Sequence, residues 1–375
     1  MTIGIICEYN PFHNGHLHHL NKIKERYKDS TIVLVMSGNF VQRGNISILN
    51  KWDKTKIALH YGIDIVIELP YLFATQSADI FAKGTISILK ELKVDKLIFG
   101  SESNNIKKLQ ELATIQLENT NYDTLVQNYL NKGYNYPTAM NKALYNITKH
   151  EITTPNDLLG LSYIKQIILQ NTNIEVETIQ RTNDFHSTNL TNIITSATSI
   201  RQALKNNIDI NKYVPQETIK YIDHNQYDNT YFDYLKYKIL SDKFNLSIYQ
   251  TVDEGIENRI LKYINSCQNL DELISKIKTK RYTYNKISRM MNHIICSFTK
   301  EEALNQELKY IRLLGFSKKG QIYLNKIKKD LTVPLITKQK KEFDHLLSTN
   351  NRCDEIYDLI TNSKTKKQSL IKHDN

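Results

Sequence analysis

Two imidazoles three residues apart with a glycine between them, His13-Asn14-Gly15-His16, can aim paired nitrogen donors at one small volume. The run follows the apolar stretch Ile3-Gly4-Ile5-Ile6-Cys7 and the turn Pro11-Phe12, and leads into helical spacing. A strand turning through His-x-Gly-His into a helix suits a nucleotide triphosphate. The first amides of a helix lack intrahelical acceptors, and phosphate oxygens match them and the helix dipole. Gly15 admits close backbone approach, and His13 and His16 can donate to an α-phosphate as charge develops in line. The same spacing also fits a plain helix cap, or a metal site completed by His18 and His19. The strand, the proline turn and the glycine together favour phosphate and no metal; taken alone, His18 and His19 are helix-surface residues.

Other segments could complete such a site. In Ser196-Ala197-Thr198-Ser199-Ile200-Arg201 a hydroxyl-rich turn opens a helix, and Ser199 and Arg201 are the candidates to hold the distal phosphates. A capping serine followed by a surface arginine is the plainer alternative. Ser37-Gly38-Asn39-Phe40-Val41-Gln42-Arg43-Gly44 offers amides and a cation as a substrate loop, or simply connects two elements. Gly100-Ser101-Glu102 could receive a base or ribose or form a turn, Asn156 could cap a helix or read a ligand, and Arg181 could reach phosphate or pair with an acid. The Walker and Rossmann glycine patterns and Gly-x-Ser-x-Gly are absent, which argues against P-loop kinases, dehydrogenases and serine hydrolases.

The elements that must position these residues alternate up to about residue 205. Strands are expected near 3–7, 31–36, 63–69, 94–99 and 174–180, with amphipathic helices over 17–26, 51–61 and 77–92. That order predicts an α/β, doubly wound, mostly parallel sheet over 1–205, with the loops after the strands converging at its carboxyl edge. Beyond it helical patterns dominate, at 231–244, 255–266, 271–278 and 284–298, so a smaller all-α domain is expected over 206–360, with 206–211 as the boundary. The polar tail 361–375 is expected to be poorly ordered.

The formal charge of +11 is uneven: residues 1–205 hold 21 Lys and Arg against 18 Asp and Glu, and residues 206–375 hold 29 against 21. In the second part Lys278, Lys280, Arg281, Lys286 and Arg289 interleave with Tyr282 and Tyr284, and Lys318 and Lys319 follow. Such a mixture can bind nucleic acid or form a solvated face. Four scattered cysteines suggest neither a disulfide framework nor a zinc site, and no stretch has membrane-spanning length. A soluble, cytoplasmic protein is the expectation, and no obligate protein partner is evident.

With those residues in hand, the chain resembles the bacterial tRNA(Met) cytidine acetate ligase family of the HxGH nucleotidyltransferase-like superfamily. The resemblance runs through Glu8-Tyr9-Asn10-Pro11-Phe12-His13-Asn14-Gly15-His16, Ser37 to Gly44, Pro155 to Gly160, Arg181, Thr198 to Arg201, Glu254 to Arg259 and Lys280-Arg281-Tyr282-Thr283. It implies an enzyme that activates acetate with ATP as acetyl-adenylate and acetylates N4 of the wobble cytidine of elongator tRNA(Met), giving N4-acetylcytidine. It also implies ATP along Cys7, Glu8, Tyr9, Asn10, Pro11, Phe12, His13, Asn14, Gly15, His16, Leu17, His18, His19 and Leu20, and at Gly100, Asn156 and Arg181. The helical part would then supply the tRNA surface, through Lys278, Lys280, Arg281, Tyr282, Lys286, Arg289, Lys318 and Lys319. Mg²⁺ is an expected assistant for which no carboxylate pair marks a site. An adenylyl- or cytidylyltransferase acting on a small phosphorylated metabolite is the alternative, and a non-catalytic RNA-binding protein a third reading.

Overall fold

Runs of Ile, Val and Leu that are apolar on both faces are stable as strands only when helices cover the sheet from both sides. β1 (Thr2–Cys7), β2 (Thr31–Ser37) and β3 (Ile65–Leu69) are of this kind and almost wholly buried. In the computed structural model, which describes residues 1–181, 194–223, 227–365 and 368–373, they pair in parallel with β4 (Lys96–Ser101) and β5 (Glu175–Gln180) in the order β5-β4-β1-β2-β3. Strand order reverses beside β1, and the carboxyl ends there open a crevice. α1 (Asn14–Arg26) and α2 (Lys51–His60) pack on one face through Leu20, Ile23, Trp52 and Ile57. The helices Ala78–Glu91 and Pro155–Leu169 cover the other through Phe81, Ile88 and Ile164.

The doubly wound sheet is as expected, but the chain beyond it is not one continuous helical run. Residues 228–304 and 344–361 do build a helical unit with its own core, including Leu235, Ile260, Ile274, Met291 and Tyr357. Between these two stretches the chain returns to the sheet. β6 (Ile311–Ser317) pairs antiparallel with β3, and β7 (Leu335–Ile336) pairs with β6. β6 is fully buried, the sign of an interior strand, and its single run of apolar residues has no partner nearby in sequence to announce it. The tail departs from expectation too, because Ile371–His373 form β8 on β6. Backbone pairing along an open strand edge needs no apolar run. Residues 366–367 and 374–375 of that tail, and 182–193 of the expected catalytic region, lie outside the described residues.

The expected boundary at 206–211 is not a free linker. Ile210 and Val214 pack on Ile200 and Ala203, and the next turn docks on the start of α1, where Asn14 donates through N to Tyr213 O (3.1 Å) and through Nδ2 to Lys212 O (2.9 Å).

Candidate active site

His13 and His16 cap their own helix. Gly15 N donates to His13 Nδ1 (3.0 Å) and His13 N donates to His16 Nδ1 (3.3 Å), a reciprocal capping box. His16 N turns back to the His13 carbonyl, and Asn14 N is held by Tyr213. The amides expected to receive phosphate are therefore already satisfied, a correction to the free-amide picture. What α1 offers instead is imidazole. With Nδ1 of each ring acting as acceptor, a neutral ring must carry its proton on Nε2, so each leaves one N–H for the cleft. The two rings stack at 3.8 Å between centroids, and Tyr9 packs edge-on to His16 at 4.8 Å, fixing their tilt.

Both rings are neutral. Burial pushes His13 down to about 3, with the Arg181 and Arg201 guanidiniums adding repulsion, and burial, followed by the repulsion that charging it beside the His13 ring would bring, holds His16 well below the usual range. Burial also lowers His19 to about 4 and, in the helical unit, His293 to about 3. A histidine kept neutral by folding contributes fully above about pH 6.5, and its contribution is lost as the unfolded chain takes up protons below that value. Thermal stability of the unliganded protein is thus expected to fall steadily from pH 6.5 toward pH 4, each such ring adding up to about 1.4 kcal/mol per pH unit. Calorimetry across that range, with a flat profile as the contrary result, checks it.

The cleft around these rings is lined by Cys7, Glu8, Tyr9, Asn10, His13, Gly15, His16, His18 and His19 from the first strand and α1, by Gln42, Arg43 and Asn45, and by Gly100, Asn156 and Arg181. Ser196, Ala197, Thr198 and Arg201 close it, and Ile6, Phe81, Phe99, Leu159 and Tyr163 supply an apolar wall. His18 and His19 thus face the cleft rather than the outer surface, and buried His19 Nε2 meets no hydrogen-bond partner among the described residues. Among the described residues that line the cleft, four imidazoles and three guanidiniums meet a single carboxylate, Glu8, whose Oε1 accepts from Gln42 N at 2.7 Å. Such an excess of cations and donors suits a polyanion. Burial raises the Cys7 thiol to about 12, so it supplies no thiolate nucleophile at neutral pH.

Not every residue expected here reaches the cleft. Phe12 stacks on Tyr61, Leu17 and Leu20 pack in the core, and Pro11 and Asn14 hold the turn. Ser199 is buried, its N and Oγ bonded to Ser196 Oγ (3.0 and 2.8 Å), while Ser196 and Thr198 face the cleft. The helical period carried that signal: Ser199 falls on the buried face of its helix with Ile200 and Ala203. Arg201 does face the cleft, braced by Nη1 donating to Asn10 O (2.7 Å). Asn156 Nδ2 donates to Glu102 Oε1 (2.5 Å), and Arg181 lies 3.8 Å from the same oxygen.

The loop after β2 divides in the same way. Ser37 is fully buried, its O accepting from Lys54 Nζ (2.8 Å), and Gly38 and Asn39 turn away from the cleft toward a buried ion cluster, in which Lys51 Nζ meets Glu68 Oε1 (2.8 Å) and Asp354 Oδ2 (2.5 Å), and Asn39 Nδ2 donates to Asp354 Oδ1 (2.8 Å). Of the five residues expected to touch substrate in this loop, Gln42 and Arg43 remain at the cleft. They are fixed by Gly44, whose φ of +89° and close packing leave no room for a side chain: a Cβ would meet Arg289 N at 2.5 Å. Ser288 Oγ and Asn292 Nδ2 both donate to Gly44 O at 2.8 Å, so the helical unit holds the cleft loop. Gly44→Ala is expected to cost about 2–3 kcal/mol and weaken nucleotide binding together, read by urea titration and equilibrium dialysis.

A family model described as HIGH nucleotidyl transferase matches residues 1–372. A tRNA(Met) cytidine acetate ligase of Geobacillus sp. (strain WCH70) is 41% identical over 357 residues, covering 90% of this chain and 88% of its own. This chain belongs to the tRNA(Met) cytidine acetate ligase family. The ligase of that name from Fusobacterium nucleatum is 36% identical over 399 residues, covering 100% of this chain and 99% of its own. Among solved structures, apo Thermotoga maritima TmcAL superposes with a TM-score of 0.90 at 27% identity, covering 99% of this chain and 100% of that one. The same protein bound with alpha-thio ATP gives 0.88 at 27% identity, with the same coverage.

The residues expected to meet RNA in this family member, seven cations and one tyrosine, fall into two groups. Lys278, Lys280, Arg281, Tyr282, Lys286 and Arg289 lie together on the helical unit. There Lys286 Nζ sits 4.0 Å over the Tyr282 ring, and half-buried Arg289 donates to Gln42 O (3.2 Å), serving the cleft loop rather than an open surface. Lys318 and Lys319 lie elsewhere. Because β6 runs antiparallel, its carboxyl end meets the amino ends of the parallel strands, and Lys319 Nζ donates to Ser30 O (2.6 Å) just before β2. That edge of the sheet is opposite the cleft.

Proposed function

We propose that this chain activates acetate with ATP as acetyl-adenylate and transfers the acetyl group to N4 of the wobble cytidine of elongator tRNA(Met). The observation that carries the reading is the convergence of the His13 and His16 rings with Arg43, Arg181 and Arg201 in a cleft at the carboxyl edge of the sheet. The relatives' name and the alpha-thio ATP in the Thermotoga protein support it. In the first step an acetate oxygen bonds to the α-phosphorus and the bond to the bridging oxygen breaks, releasing pyrophosphate. The neutral imidazoles donate from Nε2 to the α-phosphate oxygens, whose charge grows in the transition state, and Arg201 and Arg181 hold the polyphosphate. In the second step the cytidine N4 bonds to the acyl carbon, AMP leaves with its electron pair, and the nitrogen loses a proton. An anticodon base is already unpaired, so little energy is needed to turn it into the cleft. The acetyl-adenylate must be kept from water meanwhile, and the apolar wall of Phe81, Phe99 and Tyr163 serves that end.

Mg²⁺ enters this reading as the counterion of the triphosphate. Among the described residues no three His, Cys, Asp or Glu side chains converge as a metal site. Also among the described residues, no helix is long and apolar enough to cross a membrane; we place the enzyme in the cytoplasm, with tRNA and acetate as partners and no obligate protein partner. Purified protein given radiolabelled acetate, ATP and elongator tRNA(Met) is expected to label the RNA as N4-acetylcytidine, with AMP and pyrophosphate formed in step. Pyrophosphate release with a small phosphorylated metabolite and no label in RNA would overturn it in favour of a nucleotidyltransferase.

A further inference from the structure

Between β4 and β5 the chain needs one helix to cross over the sheet, and Pro155–Leu169 provides it. The three helices before it, Ile106–Glu118, Tyr122–Asn131 and Tyr136–Thr148, are surplus to that connection. The excursion leaves from Gly100 and returns at Asn156, both of which line the cleft. It is therefore rooted on the rim of the site.

The last two of those helices form a hairpin with one buried face, through Val126, Ala139, Ala143 and Leu144. The other face is unusual in its chemistry. Between Asp123, in the first turn of the hairpin, and Glu151, just after it, the chain holds three lysines, Lys132, Lys142 and Lys149, and no acid, and all three lysines are exposed. Each lies over a tyrosine ring. Lys142 Nζ is 5.2 Å from the Tyr134 centroid and 6.0 Å from that of Tyr129, Lys132 Nζ is 5.6 Å from Tyr129, and Lys149 Nζ is 5.7 Å from Tyr145. Tyr134 and Tyr145 remain 39% and 45% exposed, so their rings are open to further stacking. The hairpin also touches the basic segment of the helical unit: Asn135, which caps the second helix, donates through Nδ2 to Lys280 O (3.3 Å).

We propose that this hairpin is a second RNA-contacting surface, continuous with the segment around Lys280 and Arg281, that grips the nucleic acid beside the cleft. Exposed lysines that form no ion pair among the described residues suit phosphates, and exposed tyrosine rings suit unpaired bases, which is the chemistry of a single-stranded loop. The two surfaces lie on different halves of the fold and meet at Asn135 and Lys280, so an RNA loop held by both would be presented at the rim from which Gly100 and Asn156 descend. The proposal rests on the tRNA reading above.

The test compares the unmodified full-length protein with two variants, K132E/K142E/K149E and Y134A/Y145A, in tRNA(Met) binding at several salt concentrations and in acetate-dependent ATP–pyrophosphate exchange without RNA. The lysine variant is expected to bind tRNA about tenfold or more weakly, with a salt slope smaller by about 2. The tyrosine variant should lose about tenfold with the salt slope unchanged. Exchange without RNA should be unaltered in both, which also reports an intact fold. Unchanged tRNA affinity in both variants, with tight binding by the unmodified protein, overturns the hairpin surface alone. Failure of the unmodified protein to bind tRNA overturns the substrate reading and this proposal with it.

Discussion

Replacing His13 by asparagine is expected to slow acetyl-adenylate formation by about 10²–10³-fold while changing stability by no more than about 0.5 kcal/mol. The separation arises because His13 performs two tasks with two nitrogens. Its Nδ1 accepts from Gly15 N and so caps α1. An asparagine oxygen at an N-cap accepts the same kind of bond, so the helix keeps its first turn. Nε2–H is the group aimed at the site, and asparagine has nothing at that reach. Removing one donor from a site where charge develops typically costs a few kcal/mol of transition-state stabilisation, which sets the size of the effect. Because Nδ1 is committed as an acceptor and burial keeps the ring neutral, the donor is an imidazole and not an imidazolium. Acetate-dependent ATP–pyrophosphate exchange measures the rate, and thermal melting measures the fold. A variant that is equally active would show that His13 serves only as a cap, and one that melts much earlier would show that the two tasks cannot be separated.

Lys51→Met is the substitution expected to cost most in stability, about 3–5 kcal/mol near neutral pH. Among the described residues, Lys51 Nζ is the one cation bonding to both Glu68 and Asp354, and all three side chains are buried or nearly so. Methionine fills a similar volume but leaves two carboxylates facing one another out of water. The two acids come from β3 and from the helix Asp344–Thr361, so the loss falls on the joint between sheet and helical unit. Protonation relieves like-charge repulsion, so the penalty should shrink as pH is lowered toward 5. Urea denaturation at two pH values tests both statements. A loss below about 1 kcal/mol at pH 7 would mean that the cluster is hydrated rather than closed. Adding Glu68→Gln and Asp354→Asn to Lys51→Met should recover part of the loss by removing both charges.

Local order alone settled a good deal about this protein. The five strands from 3 to 180, the helices over 17–26, 51–61 and 77–92, and the glycine and histidines after the first strand all follow from periodicity and turn chemistry within a few residues of each position, whereas the four helices between β4 and β5 stand outside the expected elements. The HxGH turn, Gly100, Asn156 and Arg181 come together because a parallel sheet places every strand's carboxyl end on one edge, a consequence of topology that the alternation of elements already implies. What tertiary structure decided depends on partners far away in sequence. The first half of the 37–44 loop faces Asp354 rather than the cleft, because a buried lysine between them must be neutralised. The α1 amides are unavailable because the imidazoles and Tyr213 have taken them. Lys318 and Lys319 sit at the far edge because β6 pairs antiparallel, and β8 extends the sheet where polarity argued for a loose tail. A residue's type and spacing tell which face of an element it occupies. Which element covers that face is set by the pairing of distant strands and by the need to satisfy buried charge, and neither is a property of any local stretch of chain.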